Sequence, residues 1–161
     1  MTFHYDVNRQ WSDGFLPQVK QIIAQHVISV APDAMDWHEA TDLVTLDAAP
    51  QRIAVRIRRP GYADRYPYDF TIRSGLPSGA PTELNKVVNG YGDWMFYGHA
   101  DEYGRLAKWW LLDLRAFRAA LIRRADIRYG TQENFDGTSF TWFDVRSFPR
   151  DPKLVLSSSQ Q

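Results

Sequence analysis

Cysteine is absent from the 161 residues, which rules out disulfides, thiolate metal sites and a cysteine nucleophile. Long apolar runs are absent as well. No stretch approaches the roughly 18 residues that span a bilayer as a helix. Met1 leads into polar sequence rather than a signal peptide, so a cytoplasmic protein with no membrane partner is expected. Net charge is missing too: nineteen basic and nineteen acidic residues cancel, so any role with nucleic acid must rest on a local patch. Lysine is scarce, and fifteen of the nineteen basic residues are arginine. A GC-rich genome produces that bias, but arginine also offers a planar fork suited to phosphate and carboxylate. Several catalytic signatures are missing. His4, His26, His38 and His99 show no HExxH spacing, SGLPSG lacks the Gly-Lys-Ser/Thr of a P-loop, and there is no G-x-S-x-G elbow.

What remains is a chain of globular composition, 44% hydrophobic and 24% charged, long enough for one α+β domain over 1–156 with a disordered tail at 157–161. Residues 1–14 are polar with a few aromatics. From Phe15 to Val30 apolar residues recur at helical spacing, with Ser12 or Asp13 as cap. TDLVTLD, RIAVRIRR and YDFTIRS alternate as strands and predict a three-strand antiparallel meander. Thr82 caps a short helix that stops at Asn89-Gly90. DWMFYGHA and KWWLLDL form a hairpin, Asp113 caps the helix LRAFRAALIRRADI, and TSFTWFDV supplies a last strand. The expected order is helix, three strands, helix, strand, then an added strand, a helix and a C-terminal strand.

The stretch from Asp42 to Tyr97 carries the chemistry. Arg56 and Arg58 share one face of their strand, as do Asp69, Thr71 and Arg73 on the next, while Glu83 and Lys86 lie one turn apart on the helix that follows. Buried arginines need partners, so one reading is an internal ion-pair network. The other is a phosphate-binding or metal–phosphate surface. There Asp42, Asp69 and Glu83 would hold Mg²⁺, Lys86 would act as the catalytic amine, and Arg56, Arg58 and Arg73 would bind phosphate. Tyr62, Tyr66, Tyr68 and Tyr91 lie in loops near these arginines, where aromatic rings can stack on bases or anchor a protein partner. Trp94, Phe96, Trp109, Trp110, Phe140 and Trp142 read as core.

Helix, meander, helix, strand resembles the core of the PD-(D/E)XK nuclease-like fold. DLVTLDAAPQRIAVRIR resembles the family's pairing of a strand-borne Asp with a following strand that bears its acid-x-Lys element. By that likeness Asp42 matches the metal-binding Asp, but Arg56 and Arg58 stand where the acid and lysine are expected. Glu83 and Lys86 fit a version in which those groups have moved to the adjacent helix. WSDGFLPQVKQII, IAVRIRR, DFTIRSGLPSGAPTELNKVVNGYGDWMFYG and WWLLDL are also similar to segments of small proteins of tailed phages and prophages. The resemblance implies a nuclease-like protein acting on or binding nucleic acid, with Mg²⁺-dependent phosphodiester cleavage if the migrated residues serve. Otherwise it implies a non-catalytic member that binds a host protein, such as an inhibitor of a defence complex.

Overall fold

A computed structural model describes residues 2–30, 43–45 and 51–159 as a mixed α+β chain with two compact units, Met1–Pro50 and Gln51–Gln161. In the first unit, helices α1 (Thr2–Asp13) and α2 (Leu16–Val27) precede strands β1 (Ile28–Val30) and β2 (Leu43–Thr45). The α1 helix falls where polar sequence hides the signal. Val7, Trp11 and Phe15 nevertheless recur every four residues, and the Trp11 ring meets Phe15 edge-on at 5.0 Å. The α2 helix ends at Val27 because Ile28 and Val30, both β-branched, pair antiparallel with Thr45 and Leu43 instead.

The second unit contains two sheets. One has the order β3-β5-β6-β9, from β3 (Ile53–Arg58), β5 (Trp94–Ala100), β6 (Leu106–Asp113) and β9 (Val155–Ser158). The other has the order β4-β8-β7, from β4 (Asp69–Gly75), β7 (Tyr129–Glu133) and β8 (Ser139–Asp144). Short helices α3 (Tyr62–Arg65) and α4 (Glu83–Val88) flank β4, and α5 (Leu114–Ile122) follows β6. Both sheets and α5 contribute to one core, in which Phe70, Ile72, Met95, Leu112 and Phe117 are fully buried. Phe70 stacks on Phe143 at 5.4 Å, and Phe117 meets Phe143 edge-on at 5.0 Å; such pairs add about 0.5–1.5 kcal/mol each beyond the area they bury.

The antiparallel meander is corrected by these pairings. Strand β3 lies parallel to β5, with Ile53 opposite Trp94 and Arg58 opposite His99. Strand β4 pairs antiparallel with β8, far along the chain, and β2 pairs with β1. Alternation shows which face of a strand is apolar, but it does not choose the neighbour. Strand β5 is buried at every position from Trp94 to Ala100, so it has to lie inside a sheet with a strand on each side. Its antiparallel partner β6 was legible as a hairpin; its parallel partner β3 was not.

The caps follow the sequence closely. Asp113 accepts hydrogen bonds from Arg115 N at 2.8 Å and Ala116 N at 3.4 Å. Thr82 and Asn85 form a reciprocal box, with Thr82 N donating to Asn85 Oδ1 at 2.9 Å. Ser157 and Ser158, expected in the tail, pair within β9 against Leu111 and Trp110.

Candidate anion-binding cleft

A cleft of about 590 Å³ opens in the second unit. Arg56 and Arg58 of β3 form one wall; Asp69, Thr71 and Arg73 of β4 form the facing one. Tyr62, Arg65 and Tyr66 reach in from α3 and its C-terminal end, Phe140 and Trp142 from β8, and Tyr97 and His99 from the buried strand β5. The sequence places the arginines and Asp69 on one surface by assuming that β3 and β4 pair. The structure brings the same side chains together although those strands belong to different sheets.

Four arginines line this cleft, against one lining carboxylate, Asp69. Arg56 donates to Glu83 at 3.0 Å, a half-buried pair, and Glu83 also accepts from Arg73 N at 3.4 Å. Among the described residues Arg58, Arg65 and Arg73 make no ion pair. Arg58 instead lies over the Tyr62 ring at 4.1 Å and reaches Thr71 Oγ1 only at 3.5 Å, a long and weak contact. Arg73 feels Asp136 from beyond ion-pair distance, while that carboxylate is held chiefly by Thr138. In a protein of zero net charge this is a local positive surface, with low-dielectric walls that strengthen its field.

Two titratable groups in the cleft depart from their ordinary behaviour. Burial raises the Asp69 carboxyl, and Asp144, directly opposite it in the β4–β8 pair, adds to the shift while Arg146 and Arg128 oppose it. His99 is pushed down to about 4, first by burial and then by the charges of Lys108 and Arg58, with a smaller opposing backbone contact from Lys108. It is therefore a neutral imidazole at pH 7. Its Nδ1 is buried and has no hydrogen-bond partner among the described residues.

Local sequence explains how the aromatic wall is held. Gly130 of β7 sits opposite Trp142, and a Cβ there would lie 2.7 Å from the indole, so only glycine lets the ring lie across the neighbouring strand. Trp142 is half-buried and faces the cleft, as does Phe140, instead of filling the core as expected. Trp94, Phe96 and Trp110 are buried as expected.

The residues expected to hold Mg²⁺ divide as follows. Asp42 lies outside the described residues. Asp69 lines the cleft, whereas Glu83 is engaged by Arg56, and Lys86 is exposed on α4 without lining it. Among the described residues no three His, Asp or Glu side chains cluster as a metal set. The described donors thus do not by themselves fit a metal centre. Sequence reasoning passed over Arg65 and Tyr97 as contributors, placed Thr71 on the charged face without a role, and gave His99 no functional reading. The signal for His99 was there: it is the one residue in the apolar run WMFYGHA whose ordinary pKa lies near neutral pH.

Comparison with family models, with curated proteins and with solved structures found no match, so the site is read from its own geometry.

Proposed function

We propose that the protein binds single-stranded nucleic acid in this cleft. The observation that carries the reading is that Arg58, Arg65 and Arg73, unpaired by any described acid, share one cleft with Tyr62 and Tyr66. Phosphates need arginines not already neutralised by carboxylates. Unstacked bases need aromatic faces, each stacked base being worth about 1–3 kcal/mol. A duplex presents its bases edge-on within a stack and leaves no face for the tyrosines, so a single strand suits the cleft better. Fluorescence anisotropy with labelled oligonucleotides of about 12 nucleotides tests this, a length within the usual site sizes. Binding that weakens steeply with salt and prefers single strands supports the reading. Absence of binding at about 50 mM salt refutes it.

The nuclease-like resemblance would add Mg²⁺-dependent cleavage only if Asp42 joined Asp69 and Glu83 as ligands; Glu83 is held by Arg56, and Lys86 does not line the cleft. Incubating the same oligonucleotides with Mg²⁺ and resolving products on a gel reads that out separately. A protein partner is the second reading, favoured by one observation. Phe135, at the tip of the β7–β8 hairpin, is fully exposed, and elsewhere on the same unit the exposed Tyr129 and Val88 border an apolar groove.

A further inference from the structure

The buried side of the cleft holds polar groups that phosphate binding does not use. His99 is 1% exposed, and its Nδ1 is buried without a hydrogen-bond partner among the described residues. Thr71 Oγ1 and Tyr97 Oη lie 3.1 Å apart, and either can donate, so each hydroxyl retains a free acceptor or donor direction. These three groups come from adjacent parts of β4 and β5 and line the same cleft as the arginines. Buried polar atoms are nearly always satisfied, so an orphaned ring nitrogen in a cleft wall marks a place where a ligand atom completes the bond.

Resting on the nucleic-acid reading above, we infer that this side of the cleft is a base-reading subsite, where His99 Nδ1 and the Thr71–Tyr97 hydroxyl pair hydrogen-bond the edge of one nucleobase. Arg58 couples the two functions. It stands opposite His99 in the β3–β5 pairing, and among the described residues its side chain makes one hydrogen bond, the long one to Thr71. A phosphate draws the Arg58 guanidinium outward, which frees Thr71 Oγ1 and opens the way to the ring nitrogen. The imidazole is neutral, so it reads the base as a donor or acceptor rather than attracting the backbone as a cation. A neutral polar array of this kind discriminates bases because the wrong edge leaves buried groups unpaired.

The test compares anisotropy titrations of dA, dC and dT homo-oligomers of about 12 nucleotides, a length within the usual site sizes, for the wild type, His99→Phe and Thr71→Val. The wild type is expected to spread the three affinities by about tenfold or more, the discrimination typical of a two-point base contact. His99→Phe is expected to bring the best affinity down towards the weakest, and Thr71→Val to narrow the spread in part. The His99 ring ¹⁵N resonances of the wild type, which need no variant to fold, are expected to shift when the preferred mononucleotide is added at pH 7. Equal affinities in the wild type, a spread that survives both substitutions, or unmoved ring resonances overturn the inference and leave nucleic-acid binding standing. If no oligonucleotide binds at all, the reading on which it rests falls with it.

Discussion

Two arginine clusters in the second unit use the same residue types to opposite ends. Around Asp144, Arg128 and Arg146 both close on one carboxylate, at 2.7 Å and 2.9 Å, and Arg146 also stacks on the Tyr68 ring at 3.6 Å. That carboxylate is 7% exposed and accepts from Arg146 N as well, so its pKa is held below the usual range, first by the Arg146 side chain. In the cleft, by contrast, Arg56 alone has a carboxylate among the described residues, Glu83, while Arg58 rests on the Tyr62 ring and Arg73 lines the cleft without an ion pair. The first cluster is saturated with acid and ties a strand end in place. The second keeps cationic donors in reserve. On the proposed reading, a charged cluster in a sequence is a structural tie or a binding surface according to whether its acids are spent.

Breaking the saturated cluster has the largest expected effect. Asp144→Ala strands two guanidinium groups and removes the partner of Arg146 N; because both arginines remain half-exposed and can rehydrate, the cost is about 3–4 kcal/mol, at the lower end for a buried pair. Urea unfolding checks it, with oligonucleotide affinity retained wherever the variant is folded. A loss below about 1 kcal/mol would make this cluster no more than an ordinary surface pair.

Acid acts next, through His99. Its folded pKa lies below the unfolded value of 6.5, at about 4. Between those values the unfolded chain binds a proton that the folded chain refuses, so stability falls as pH drops through that window and is unaffected by this group above it. The expected loss from pH 6.5 to 4 is about 2–3 kcal/mol, and it disappears in His99→Phe. The fall in pH below the carboxylate range, where Asp144 protonates, adds a separate loss that this variant keeps.

Removing reserve cations comes third. The double change Arg58→Ala with Arg73→Ala is expected to weaken oligonucleotide binding by about 30-fold, or roughly 2 kcal/mol, the cost of about two charge-assisted contacts. Stability moves by less than about 1 kcal/mol, because neither arginine ties described acids to the fold. A large stability loss with unchanged affinity would move the cleft arginines into the structural class. The smallest effect is Glu83→Gln, which releases Arg56 and is expected to tighten binding about threefold at low salt. A metal ligand would behave differently, since its loss would abolish Mg²⁺-dependent cleavage.

How much of this was legible in the sequence depends on the range of the interaction. Caps at Thr82 and Asp113 were readable because the donors lie within three residues of the acceptor. The β5–β6 hairpin was readable through the turn around Gly104. The parallel β3–β5 pairing and the β4–β8 pairing were not, since non-local partners are chosen by packing that the alternation pattern does not encode. Arg56, Arg58, Asp69 and Arg73, expected on one surface, nevertheless line one cleft. Their faces were set by the period of two, and that period survives the change of partner. Thr71 stood on the same face and Tyr97 on a core strand, but their hydroxyl contact depends on how the two sheets approach, and no local pattern reports that. Trp142 was misassigned for a related reason: its place on the cleft wall depends on Gly130 across the strand pair.

The most direct test is the salt dependence of single-stranded oligonucleotide affinity for the wild type beside Arg58→Ala. Two to four arginine–phosphate contacts give a log–log slope of about −1.5 to −3, and losing Arg58 makes it shallower by about 0.7. That pair of slopes is the predicted result. A salt-insensitive wild type, or an Arg58→Ala slope identical to it, contradicts the cleft as a phosphate-binding surface.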